Sequence, residues 1–196
     1  DYGSWLSGKN GDYSYNPELS EQILEQNGWV YKYNRWQKTE NYITQSLTFR
    51  LVVQASNQTR VNIAEMIKAD MTNIGINVTI IKASDNQYQS YLQNKNYEAI
   101  ITGTTISANP SIETYMSMCN FNNEELNNLM AEVKNITKED LLQEKYKRIR
   151  EIFNEQKPYI GLYSNYYAVE SSWSLRGNVN ANWYNIFIDI NNWYKN

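Results

Sequence analysis

The sequence contains no histidine among its 196 residues. That removes both the commonest general base and the commonest metal ligand. Any remaining catalysis would have to come from Ser–Lys pairs or paired carboxylates. Two acidic pairs stand out, Glu124–Glu125 and Glu139–Asp140. Both fall in predicted first turns of helices, where negative charge suits the positive end of the helix dipole. A helix-stabilising role is the simpler reading of each. No phosphate loop, calcium loop or paired-cysteine zinc pattern occurs. The single Cys119 excludes an intrachain disulfide and reads as a small buried apolar residue. The expectation is a chain that is not an enzyme and that uses no cofactor and no metal. What it holds in quantity is aromatic surface, six Trp and 17 Tyr. These side chains join a large apolar body to a polar tip, which suits ligand pockets and interfaces as well as cores. Trp173, Trp183, Tyr184 and Trp193 gather near the end, where a neighbouring domain could cover them.

The elements that would position such residues are legible in the periodicity. Residues 1–14 read as irregular, with three of the eight glycines. Asn16-Pro17 reads as a helix start, with Asn as N-cap and Pro at the first helical position. Leu19, Ile23 and Leu24 give its apolar stripe, and Gly28 stands where a C-terminal cap belongs. Alternation of Leu47, Phe49, Leu51 and Val53 predicts a strand over 47–54. Val61, Ala64, Ile67, Met71 and Ile74 then predict a helix over 61–74 closed by Gly75, and Ile76, Val78 and Ile80 a second strand over 76–81. This strand–helix–strand unit has the length of a parallel crossover. A short helix over 85–94, with Tyr88 and Leu92 inward, leads to a third strand over 98–102. The second half is more helical. One helix is expected over 122–135, with Leu126, Leu129, Met130 and Val133 inward. Thr137 with Asp140 resembles a capping box for the next, which runs to about 155 with Leu142, Tyr146, Ile149 and Phe153 inward. Pro158 stops it, and 159–163 reads as a strand. From Val169 the chain has no clear period.

Composition narrows the class. The length fits one compact domain, or one domain and a tail, and 41% apolar residues are enough for a core. No apolar run is long enough to span a bilayer. The first residues, Asp1-Tyr2-Gly3-Ser4, lack a signal-peptide pattern, so a mature soluble protein or a piece of a longer one is expected. A net charge of −3 argues against nucleic acid as a partner. The local basic cluster of Lys145, Lys147, Arg148 and Arg150 is interleaved with Glu139, Asp140, Glu144 and Glu151, and reads as a solvated helix face with i,i+4 pairs.

The motifs above, in their order from Tyr15-Asn16-Pro17-Glu18 through Asn27-Gly28-Trp29, Tyr97-Glu98-Ala99-Ile100-Ile101 and Asn109-Pro110, resemble the C-terminal lobe of the family-5 extracellular solute-binding proteins. These serve oligopeptide and dipeptide ABC importers. The resemblance implies an α/β fold, one lobe of a type II periplasmic-binding-protein-like architecture with a mixed sheet flanked by helices. It implies residues 1–168 as the ligand-binding lobe and 169–196 as a segment returning to a first lobe outside this chain. It implies a peptide or peptide-like ligand as partner, an ABC permease reached through the full-length receptor, an extracellular place at the cell surface, and membrane attachment only through a lipid anchor outside this chain. It places the ligand contacts on Thr102, Gly103, Thr104, Thr105, Ile106 and Ser107, and on Tyr163 near the hinge. Alignment on Pro110 puts Gly103 where the family commonly has Trp, Ile106 where it has the Asp that pairs with a peptide's amino terminus, and Asn109 before the Pro. The departure at 106 favours an apolar or amino-blocked group there. Several alternatives remain: an ordinary connecting loop at 102–107, a receptor lobe for a sugar, opine or metal chelate, a carbohydrate-binding module, and a hydrolase lobe using carboxylates.

Overall fold

The computed structural model describes residues 14–104, 113–163, 170–177, 185 and 187–195. The chain packs as two units, Asp1–Tyr159 and Ile160–Asn196.

The first unit opens with α1 (Pro17–Gln26), capped as its sequence dictates. Asn16 Oδ1 accepts the Leu19 N–H at 2.9 Å, and Gly28 takes φ +82° just beyond the helix. An antiparallel meander follows, made of β1 (Val30–Lys32), β2 (Arg35–Glu40) and β3 (Ile43–Ser46). Its turns, Tyr33-Asn34 and Asn41-Tyr42, hold all four residues at positive φ, between 50° and 65°. That is the geometry of two-residue hairpin turns whose twist matches the strands they join.

The heart of the unit is the sheet β5-β4-β6, formed by β4 (Thr48–Gln54), β5 (Asn77–Ala83) and β6 (Ala99–Ile100). Both pairings are parallel, with Thr48 opposite Asn77, Gln54 opposite Ala83 and Leu51 opposite Ala99. Parallel neighbours need crossovers, which α2 (Gln58–Asn73) and α3 (Asp85–Asn94) supply. Successive β4 side chains point to opposite faces, and both faces are covered. Leu51 and Val53 pack with Val61 and Ala64 of α2 and with Val78 and Ile101. Val52 packs on the other face with Ala83 and with Tyr88 of α3. This doubly wound arrangement explains why β4 reads Leu-Val-Val at its centre rather than alternating with polar residues.

Trp36 ties the meander to this layer. Its ring is 2% exposed, and its indole N–H donates to the Ile74 carbonyl at 2.6 Å. Next to that carbonyl, Gly75 has φ +78°, and a Cβ there would lie 2.3 Å from Tyr31 Cε2. Gly75→Ala is therefore expected to cost roughly 1–2 kcal/mol from the left-handed backbone alone, with more if Tyr31 cannot give way. Urea denaturation of the variant checks this, and an unchanged midpoint would refute it.

A helical layer completes the unit, with α4 (Glu113–Met118), α5 (Glu124–Glu132) and α6 (Glu139–Gln156). Its core of Met116, Leu126, Leu129, Tyr146, Ile149 and Ile152 is distinct from the two cores of the sheet. In the second unit β7 (Leu175–Arg176) pairs antiparallel with β8 (Tyr194–Lys195), and the Phe187 and Trp193 rings meet at 6.0 Å.

Four expectations need correction. Residues 159–163 form no strand, because no described strand runs alongside to pair with them. Thr137 does not cap α6: the helix starts at Glu139, Lys138 holds the N-cap position, and no side-chain cap bond forms. The helix expected over 122–135 is α5 followed by a tight 3₁₀ turn at Val133–Asn135, with Asn123 as cap. The apolar stripe of α1 is not inside: Leu19 and Ile23 are 44% and 49% exposed, since no described element covers that face closely enough to bury it.

Candidate functional site

Because β4, β5 and β6 run the same way, their C-terminal ends share one edge. The connections after β4 and β5 depart to opposite faces, so the chain diverges between β4 and its neighbour β6. In open α/β sheets, ligands take the crevice at such a switch point, outside the carboxyl ends of the strands.

The residues meeting there come from four segments. β4 ends in Gln54. The first turn of α2 brings Arg60, whose backbone N–H is held by the Asn57 side chain at 3.0 Å. α3 brings Asp85 and Tyr88. β6 runs out through Ile101, still bonded to the Val52 carbonyl at 3.0 Å, into Thr102, Gly103 and Thr104, the last two exposed. The Tyr88 hydroxyl donates to the Ile101 carbonyl at 2.8 Å and accepts from Arg60 Nη1 at 3.3 Å. Arg60 Nη1 also donates to Gln54 Oε1 at 3.2 Å, and its guanidinium stands 5.9 Å from the Tyr88 ring centre. The other end of the Gln54 amide donates to Asp85 Oδ1 at 3.0 Å, where the Ser56 hydroxyl also donates at 2.6 Å. Those two bonds hold the Asp85 carboxyl below its usual range. Arg60 Nη2 lies 3.0 Å from the point a Cβ on residue 103 would occupy. The guanidinium thus fills the space beside Gly103, where the resemblance implies an aromatic side chain.

Thr102, Gly103 and Thr104 therefore emerge together at the switch point, beside Arg60. Thr105, Ile106 and Ser107, with Asn109 and Pro110, lie outside the described residues. Tyr163 belongs to the second unit and is 56% exposed. Sequence reasoning missed Arg60, Gln54, Asp85 and Tyr88 as site residues. One signal was available for Arg60, a cation in the first turn of a helix, where the dipole disfavours positive charge.

Elsewhere the reactive-looking residues have structural partners. Glu125 takes Arg148 in a two-pronged pair, at 2.7 Å and 2.9 Å, and this holds the Glu125 carboxyl below its usual range. Glu124, Glu139 and Asp140 occupy first helical turns. Lys145 pairs with Glu132 at 2.8 Å. Burial pushes the Cys119 thiol above its usual value. Among the described residues no cluster of His, Cys, Asp and Glu could hold a metal ion, and no helix is long and apolar enough to cross a membrane.

The fold is that of a lobe of the type II periplasmic binding proteins. The oligopeptide-binding protein AppA of Bacillus subtilis, solved in complex with a nonapeptide, superposes with a TM-score of 0.66 at 18% identity, over 98% of this chain and 40% of that one. NikZ of Campylobacter jejuni, in complex with Ni(L-His), gives 0.68 at 15% identity, over 98% of this chain and 42% of that one. Residues 2–127 match the sequence pattern of "Bacterial extracellular solute-binding proteins, family 5 Middle", and the chain belongs to that family. In sequence it is 25% identical to AppA over 174 residues, which are 82% of this chain and 32% of that protein. The chain thus spans about a third of the length of this relative.

Proposed function

We propose that this chain is the C-terminal lobe of an extracellular receptor that captures a peptide-like solute and hands it to an ABC permease, without performing chemistry on it. The carrying observation is the switch point of the parallel sheet, where the chain leaves β6 through half-buried Thr102 and exposed Gly103 and Thr104, beside Arg60. Exposed backbone N–H and C=O groups at a strand end can bond an extended ligand, and the flanking pockets then sort its side chains. Membership of family 5 and similarity to an oligopeptide-binding protein favour a peptide. On this reading Thr102 to Ser107 and Tyr163 contact the ligand, Ile106 meets an apolar or blocked group, and a lipid anchor outside this chain holds the receptor at the cell surface. A metal chelate is the second reading, because NikZ, of the same fold, was solved with Ni(L-His). The doubly wound parallel sheet does not suit a carbohydrate-binding module, which would be an all-β structure.

Calorimetry on the full-length receptor tests the proposal, using peptides of two to ten residues alongside metal–amino-acid chelates. The expected result is saturable binding of peptides and loss of their uptake when the gene is deleted. Binding of chelates alone would establish the second reading, and steady conversion of the peptides would show a hydrolase instead. The 196-residue chain by itself is expected to bind at least about 100-fold more weakly, because one wall cannot desolvate a ligand held between two.

A further inference from the structure

β6 by itself is a weak anchor for the backbone that leaves it. Only Ala99 and Ile100 are paired, and among the described residues they pair with β4 alone. Side chains hold its two ends instead. Before it, the Glu98 carboxylate accepts the Arg50 backbone N–H at 2.6 Å. After it, the Ile101 carbonyl takes the hydroxyl of buried Tyr88 at 2.8 Å. The direction of that second bond is imposed. A guanidinium can only donate, so toward Arg60 Nη1, at 3.3 Å, the Tyr88 oxygen accepts, and its own proton is left for Ile101.

Arg60 is in turn held by the Gln54 oxygen at 3.2 Å. That oxygen faces Arg60 because the Gln54 nitrogen is turned to Asp85 Oδ1, at 3.0 Å. An ionised carboxylate can only accept, and the Ser56 hydroxyl fixes the same oxygen at 2.6 Å. The bonds therefore run one way, from exposed Asp85 through Gln54 and Arg60 to buried Tyr88 and the Ile101 carbonyl. Asp85 and Tyr88 both lie at the start of α3, so the bonds close into a ring over β4, α2 and α3. Polar networks satisfied at every member are stiff. Without Asp85, the Gln54 amide would be free to turn its nitrogen toward Arg60, setting donor against donor.

We propose that Asp85 is a positioning residue for the binding strand: through Gln54, Arg60 and Tyr88 it sets the backbone that leaves β6 at Ile101 before any ligand arrives. A wall ordered in advance costs a ligand less to bind. The inference rests on the switch point being the binding site. The test is hydrogen exchange at the amides of residues 101–104 in the ligand-free full-length receptor, read by mass spectrometry. Tyr88→Phe removes the last link and should quicken this exchange by about 10-fold, as expected for one buried hydrogen bond. Asp85→Leu should quicken it by about 3-fold, since its bonds lie at the exposed end of the ring. Asp85→Asn keeps an accepting oxygen and should stay within about 1.5-fold of the wild type. In a Gln54→Leu background, Asp85→Leu should add nothing. Equal effects of Asp85→Leu and Asp85→Asn would overturn the inference, because they would mark Asp85 as a charge at the start of α3 and no more. So would an Asp85→Leu effect that survives intact without Gln54. The α5 amides report whether each variant is folded. If the Asp85 variants are not, Gln54→Leu alone tests the central link, and an unchanged rate at 101–104 would overturn the inference. In calorimetry, the tightest-binding peptide of two to ten residues should bind Asp85→Leu about 3-fold more weakly. Unchanged affinity would show that the ring stabilises the fold without preparing the site, and would also overturn the inference. Failure of every peptide to bind would fall on the peptide reading, and the exchange results would still decide whether the ring sets the strand.

Discussion

Trp36→Ala is expected to lower the unfolding free energy of this chain by roughly 3–5 kcal/mol, the range for removing a buried large aromatic side chain. Trp36 joins the meander to the parallel layer. Its ring is 2% exposed and lies 5.2 Å from the Tyr31 ring. Its N–H satisfies the carbonyl of Ile74, at the end of α2. Deleting the side chain opens a cavity and also strips that carbonyl of its partner. Trp36→Phe separates the two effects, because it keeps most of the volume and loses the donor. It should cost about 0.5–1.5 kcal/mol, the net worth of one hydrogen bond to a partly buried acceptor. Guanidinium unfolding followed by circular dichroism gives both values. A Trp36→Ala loss below about 1 kcal/mol would mean that the meander is peripheral to the stability of the sheet.

Leu126→Ala is expected to cost about 2–5 kcal/mol by the same cavity argument. Leu126 is fully buried at the centre of the helical layer, against Leu129, Tyr146, Ile149 and Ile152. Its loss should be felt unevenly. The helical core shares none of its buried residues with the two cores of the sheet. Hydrogen exchange should therefore quicken in α5 and α6 while the β4 amides keep most of their protection. Uniform acceleration throughout the first unit would show that sheet and helices open as one cooperative body.

The residues that were legible in sequence are those whose neighbours in space are also neighbours in pattern. β4, α2, β5 and α3 could be read because Leu51, Val53, Val61, Ala64 and Val78 recur at the spacings their own elements impose. Asn16, Pro17 and Gly75 declared helix ends through local chemistry alone. The meander was missed because its hairpin turns use Tyr33-Asn34 and Asn41-Tyr42 at positive φ, without the glycine that usually signals such turns. Thr137 misled because its hydroxyl stands one residue too early for a helix that begins at Glu139. At the candidate site, the segment 102–104 came from the resemblance, while Arg60 escaped. Its significance depends on Gly103 being 43 positions away in sequence and adjacent in space, and no local pattern records such a contact. The stripe of α1 failed for the opposite reason, since amphipathicity shows that a face needs cover without showing where the cover lies.

The Gln54 side chain gives the edge of the sheet a direction. Its amide can satisfy Asp85 and Arg60 together in one orientation only, nitrogen toward the acid and oxygen toward the cation. A flip would set donor against donor and acceptor against acceptor. Negative charge is thereby fixed on the β5 side and positive charge on the β6 side, in the order of the strands themselves. The rim is electrically polar along its length, like a short bar magnet. An elongated solute with opposite charges at its two ends would find one sense of approach favourable and the reverse sense unfavourable, before any side-chain pocket had been tried.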